Sequence, residues 1–297
     1  MSAKNKKDPH RTGQLGFLLI HGLFGAPAEM RFVADGLAQG GHIVHCVKLA
    51  GHCGSLNDLR STTWQDWYSS AEVALEEMRK SCDRIIVAGQ STGALLSLLL
   101  AANRPSDVTA LALYAPTLWL NGWRVPWYAR LLKLVRFKAL GNLISLPDLY
   151  PHGIKDQRTR EFVRKSFSPG DICRPAGAVL EHRWLVSAVK RVMASVTQRV
   201  LIIHSRQDDF ADLSNATYLQ RTLTGMVDVV VLDDSYHLVT VDRQRHVVVN
   251  RTLDFASRVA TEPARKPRIL ELNLDVRQRR RQATCYSSNS RSRRVAG

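Results

Sequence analysis

Apolar residues fall in two rhythms along the first part of the chain. Short unbroken runs, at residues 15–21 and 43–49, alternate with stretches in which apolar positions recur every three or four residues. Unbroken runs predict strands buried on both faces, and the 3.6 period predicts helices that bury one stripe. Between Trp64 and Met78 the larger apolar side chains are Trp64, Trp67, Tyr68, Ala71, Ala74, Leu75 and Met78, an amphipathic helix. Residues 84–88 predict a strand, and residues 92–103 a helix that Pro105 cannot continue. Another strand follows at 108–114. Such alternation is the pattern of βαβ units and a parallel sheet.

The rhythm breaks between Trp119 and about Val196. Aromatic and basic residues crowd the segment from Trp119 to Tyr128, and no clear strand follows for a long interval, which predicts a mostly helical insertion. Strand patterns resume at 199–204 and 227–232, each followed by a helical pattern. There is no internal repeat. The expected architecture is α/β: a mostly parallel central sheet with helices on both faces, its core built from residues 14–118 and 196–260. Residues 119–195 form the insertion, and basic tails occupy residues 1–13 and 261–297.

With 297 residues, 45% of them hydrophobic, the chain can bury a large core and approaches the upper limit for one domain. No stretch reaches the roughly 18 uninterrupted apolar residues of a membrane-spanning helix, so a soluble protein without a transmembrane segment is expected. Lys4, Lys6, Lys7 and Arg11 precede an apolar run too short for a signal sequence and without a cleavage site; this predicts a cytoplasmic location. Cys46, Cys53, Cys82, Cys173 and Cys285 are odd in number and lack metal-ligand spacing. They read as reduced thiols, with neither a disulfide framework nor a metal site. The net charge of +16 would imply an anionic partner if it formed a patch on the folded domain, but ten of the cations lie beyond Pro263, against only Glu271 and Asp275. That composition predicts a solvated, disordered extension, with weak electrostatic contact with anionic surfaces as the other reading and no specific nucleic-acid binding.

Gly89-Gln90-Ser91-Thr92-Gly93 matches G-x-S-x-G, directly after a predicted strand and at the start of a predicted helix. In that context the pattern is a sharp turn that presents a strained, exposed serine. A serine hydroxyl attacks only if a base takes its proton, and His237, in the loop after the last strand, is the favoured base over His204 and His246. The imidazole needs an acid partner. The loop after strand 199–204 delivers Asp208, with Asp209 and Asp212 as alternatives. The chain order Ser91, Asp208, His237 fits this reading. A developing oxyanion requires aimed donors, and the turn His21-Gly22-Leu23-Phe24-Gly25 offers the Leu23 N–H to pair with that of Thr92. His21 itself is expected to support the loop by hydrogen bonding.

With these motifs in order, and with Gly51-His52-Cys53-Gly54-Ser55, the chain resembles the α/β-hydrolase superfamily, and within it the carboxylesterase and monoacylglycerol-lipase branch. The resemblance covers about residues 15–257 and implies that the insertion is a lid over an acyl pocket. It implies Ser91 as nucleophile, Asp208 as acid, His237 as base and Leu23 and Thr92 as main-chain oxyanion donors. Two positions depart from the branch: Cys53 stands at the second glycine of G-H-G-x-S, and Ser205 stands where a glycine often follows the histidine before the acid. The expected function is a serine hydrolase that cleaves a small-molecule carboxylic ester through an acyl-enzyme, with no cofactor. Trp119, Leu120, Trp123, Trp127 and Tyr128 suggest an apolar acyl group, or simply pack the lid on the core. The same triad serves peptidases and thioesterases, and the fold also occurs as a non-catalytic binding module.

Overall fold

Each apolar run becomes a strand, and the computed structural model describes residues 14–147, 152–166 and 173–261. In chain order the elements begin with β1 (Leu15–Ile20), a 3₁₀ turn (Pro27–Met30), α1 (Arg31–Gln39), β2 (Ile43–Val47), α2 (Leu56–Ser61) and α3 (Trp64–Arg79). They continue with β3 (Arg84–Gln90), α4 (Thr92–Asn103) and β4 (Ala110–Tyr114). The inserted segment holds a 3₁₀ helix (Trp127–Leu134), α5 (Lys138–Asn142), β5 (Ser145–Pro147), α6 (Gln157–Ser166), β6 (Cys173–Pro175) and α7 (Ala176–Val192). The main sheet then resumes with β7 (Arg199–Ser205), α8 (Ser214–Thr222), β8 (Val227–Leu232) and α9 (Arg245–Thr261).

The sheet has six strands in the order β2-β1-β3-β4-β7-β8, all neighbours parallel. Alternate residues of β1 feed opposite layers. Phe17 and Leu19 pack with Met30, Val33, Leu37 and Phe255 of the α1/α9 layer. Leu18 and Ile20 pack with Trp67, Leu75, Leu95 and Leu98 of the α3/α4 layer. The two-residue alternation of a strand therefore becomes two cores, one on each face of the sheet. Helix α4 lies between the sheet, α3 and α7, so ten of its twelve residues are buried and it shows no polar stripe. A helix apolar all round is a helix covered all round.

One expectation fails. The run at 43–49 does not give a strand buried on both faces: β2 is an edge strand in which His45 is exposed and only Val47 is buried. Its β-branched composition reports strand propensity, whereas burial is decided by its place in the sheet order. Inside the inserted segment, β5 and β6 form a small antiparallel pair that the sequence pattern does not announce. Three-residue strands are too short to show a period. Cys46, Cys53 and Cys82 are free thiols, while the Cys173 side chain, Cys285 and both basic tails lie outside the described residues. Among the described residues no helix is long and apolar enough to cross a membrane, and no three His, Cys, Asp or Glu side chains are grouped to hold a metal.

Candidate active site

Parallel strands leave all their carboxyl ends on one edge, and ligands of open α/β sheets sit in the crevice there. The loops after β1, β3, β7 and β8 carry the residues singled out in the sequence. Ser91 follows β3 with φ 55° and ψ −112°, a conformation outside the regions open to most side chains. Crowding enforces it: a Cβ on Gly89 would overlap the backbone of Gly93, and a Cβ on Gly93 would overlap the Ile20 carbonyl of the neighbouring strand. Both motif glycines therefore let β3, α4 and β1 approach closely, and the Ser91 N–H is tied to the Tyr114 carbonyl at 2.8 Å.

Ser91 Oγ lies 3.0 Å from His237 Nε2, and His237 Nδ1 lies 2.8 and 3.0 Å from the two Asp208 oxygens. Facing a carboxylate, Nδ1 must carry the proton, so Nε2 presents its lone pair to the serine hydroxyl. All three residues are buried, Ser91 retaining 9% exposure. Asp208 Oδ1 also accepts the N–H groups of Phe210 and Ala211 at 2.8 and 2.7 Å. Burial opposes ionisation of Asp208, but the His237 charge and hydrogen bonds from His204 and His237 outweigh it and hold the carboxyl below the ordinary carboxylate range. For His237 burial acts downward, while Asp208, then Asp209 and Glu29, act upward and prevail.

The other residues weighed in the sequence have different work. His204 stands behind the acid, its Nε2 2.7 Å from the Ala211 carbonyl and 3.3 Å from Asp208 Oδ2. His246 is exposed on α9. Asp212 accepts the Ser214 N–H at 2.9 Å where α8 begins. Asp209 is fully buried and binds main-chain N–H groups of His237 and Gly153 at 3.2 and 3.1 Å.

The turn after β1 is closed by Gly25 N–H to the Gly22 carbonyl, with Phe24 at φ 62°. His21 accepts the Leu49 N–H at Nε2 and donates from Nδ1 to the Gly22 carbonyl, so it supports the loop as expected. Burial, then His52, lower its pKa to about 4 and keep it neutral. Among the described residues neither the Leu23 nor the Thr92 N–H meets a hydrogen-bond acceptor, which leaves both amides available.

Several neighbours were not legible in the sequence. Thr117 Oγ1 is 3.1 Å from Ser91 Oγ and donates to the Ala115 carbonyl. Gln90 Nε2 donates to the His237 carbonyl at 2.9 Å. His182 of α7 meets Thr92 Oγ1 at 2.9 Å and is held neutral, near pKa 4, by burial. Glu29 sits against the Gly22–Gly25 turn; burial pushes its pKa up to about 7, although the Gly22 amide, Arg174 and His237 pull the other way. For Gln90, Thr117 and His182 no local pattern announces the contact, because the partners His237, Ser91 and Thr92 lie far from them in the chain. The aromatic residues of the inserted segment also separate: Trp119 packs on the Tyr218 ring, Trp123 packs on Tyr236 beside His237, and Trp127 is 76% exposed.

A profile of the serine aminopeptidase S33 family matches residues 15–244. The thermostable monoacylglycerol lipase of Bacillus sp. strain H-257 is 26% identical over 261 residues, 84% of this chain and 93% of the relative. The carboxylesterase of Bacillus subtilis strain 168 is 20% identical over 251 residues, 84% of this chain and 95% of the relative. Among solved structures, one reported for the metagenome-derived lipolytic enzymes LipS and LipT superposes with a TM-score of 0.69 and 23% identity, covering 84% of this chain and 96% of that one. The monoacylglycerol lipase of Paleococcus ferrophilus superposes with a TM-score of 0.66 and 14% identity, covering 82% and 94%. Sequence match, sheet order and the Ser91–His237–Asp208 arrangement agree: the chain belongs to the serine aminopeptidase S33 family and is an α/β-hydrolase of the lipase and esterase type.

Proposed function

We propose that the protein hydrolyses carboxylic esters by two displacements at Ser91. The hydrogen-bonded chain from Ser91 Oγ through His237 to Asp208 carries this reading. His237 Nε2 removes the hydroxyl proton as Oγ attacks the ester carbonyl, and the imidazolium that forms is stabilised by Asp208. The Leu23 and Thr92 N–H groups receive the oxyanion, each worth about 3–4 kcal/mol if well aimed. Collapse expels the alcohol, which takes the proton from His237, and leaves an acyl ester on Ser91. Water then attacks that ester with His237 again as base, and the acid departs.

Residues 119–195 act as a lid in this scheme. Trp123 lies next to the base loop, and Leu131, Leu134, Phe137, Leu140 and Leu143 are exposed on the inserted segment. Exposed apolar side chains on that segment suit an ester with an apolar acyl group. Two of the relatives are named for monoacylglycerol hydrolysis and one for carboxylic esters, which favours esters over the amide substrates suggested by the family description.

The test is fluorophosphonate labelling and hydrolysis of p-nitrophenyl esters of rising chain length, with an aminoacyl p-nitroanilide alongside. Wild-type enzyme should label and turn over esters, and Ser91→Ala and His237→Ala should lose both. Ester turnover that survives Ser91→Ala would refute the mechanism. A rate that falls steeply with chain length would remove the apolar-acyl assignment.

A further inference from the structure

Resting on the ester-hydrolase reading above, the geometry points to Asp209 as a positioning residue: its carboxylate, shared between the His237 and Gly153 N–H groups, fixes the proposed base to the inserted segment. Oδ1 accepts from His237 at 3.2 Å and Oδ2 from Gly153 at 3.1 Å. The Leu238 N–H returns a bond to the Gly153 carbonyl at 2.8 Å. Gly153 stands at φ 74°, and a Cβ there would meet that of His237 at 3.2 Å, so the two backbones touch.

The other arm of the insertion also reaches Asp209, and with it the next residue, Phe210. The Arg124 N–H donates to the Asp209 carbonyl at 3.0 Å, and the Asn121 and Gly122 N–H groups donate to the Phe210 carbonyl at 3.1 and 2.9 Å. The Phe210 ring lies 5.4 Å from the His237 imidazole. Both arms thus close on the dipeptide next to the acid, and one carboxylate ties that dipeptide to the base. Asp242 extends the seam by accepting the N–H groups of Tyr236, Lys155 and Asp156. Hydrogen bonds at both ends of Asp209 thus hold the base loop and the insertion in one register.

A carboxylate is suited to this post because it accepts both N–H groups at once and adds a charge beside His237. The charged groups acting on Asp209 are His237, which favours its ionised form, and Asp208, which disfavours it; burial, the largest influence, places its pKa at about 6. His237 also feels Asp208 and Glu29. On the insertion, Arg124 and Asp156 reach this seam through their main-chain N–H groups, and the Lys155 ammonium is paired with Asp234.

Asp209→Asn tests the assignment. The amide keeps one acceptor and turns an NH₂ toward one of the two buried N–H groups, and it removes the charge. Expected is a fall in kcat of about tenfold for p-nitrophenyl acetate with KM little changed. Expected too is an acid limb of kcat/KM displaced to lower pH, which a purely structural defect would not produce. An unchanged limb in the folded variant overturns the positioning role. As a measurement independent of that variant, hydrogen exchange of the wild type should show the 153 and 237 amides opening together with equal protection. Protection differing by more than about a hundredfold overturns the seam. The Ser91→Ala control separates the two readings: activity surviving in it refutes the hydrolase mechanism, whereas an unmoved limb in Asp209→Asn with Ser91→Ala inactive refutes only the present inference.

Discussion

Replacing Asp208 by Asn should disable the enzyme while leaving it folded, and the hydrogen bonds say why. Oδ1 accepts two main-chain N–H groups, from Phe210 and Ala211, at 2.8 and 2.7 Å. Those donors compel the amide oxygen of an asparagine to take the Oδ1 place. Its NH₂ must then lie where Oδ2 stood, 2.8 Å from His237 Nδ1. A donor there turns Nδ1 into an acceptor and moves the ring proton to Nε2, which faces Ser91 Oγ at 3.0 Å. The serine loses its base although no heavy atom has moved. The same change of tautomer in a serine-protease triad lowers kcat about 10⁴-fold, or roughly 5–6 kcal/mol of transition-state stabilisation. Because both main-chain bonds survive, the melting temperature should fall by only a few degrees. The assay is kcat/KM on a short p-nitrophenyl ester, run beside a thermal melt. A folded Asp208→Asn protein within tenfold of wild type would refute the assignment of Asp208 as acid.

Other outcomes follow from the charges around His237. The proposed mechanism requires the neutral imidazole of His237, and a folded pKa raised above 6.5 means that this form is lost as pH falls through that higher value; the acid limb of kcat/KM should have its midpoint above 6.5, and one clearly below it would contradict the electrostatics. Glu29 has a folded pKa of about 7 against an ordinary value of 4.5, so ionising it costs the folded state stability, a loss that grows as pH rises from 4.5 to 7 and then stays constant. Glu29→Gln should therefore raise the melting temperature at pH 8 and leave it unchanged at pH 4; an equal shift at both would show that packing, not charge, is responsible.

Much of the site was readable because its pieces are local. The nucleophile turn is five adjacent residues whose glycines are required by backbone overlap, and the strand before it and the helix after it announce themselves by period. Helix α4 begins and ends at the residues expected, Thr92 and Asn103, since the serine turn opens it and Pro105 follows it. Position at the strand ends points to His237 and Asp208, and the fold brings these two within hydrogen-bond distance of each other, while His204 lies against the Asp208 carboxylate and Asp212 accepts the Ser214 N–H where α8 begins. The burial of β2 is not legible in its composition, which reports strand propensity and not sheet order.

The sequence by itself determined the alternation of strands and helices, the place where the sheet is interrupted, and the three side chains that a parallel sheet must carry to its carboxyl edge. Those are consequences of period and chain order, which a linear pattern contains. Only the tertiary structure decided which neighbours surround them: Thr117 on the serine hydroxyl, His182 on Thr92, Glu29 under the β1 turn and Asp209 between base and insertion. The physical reason is that a buried polar group takes whatever partner the fold brings within about 3 Å, and that partner's position in the chain bears no fixed relation to its own.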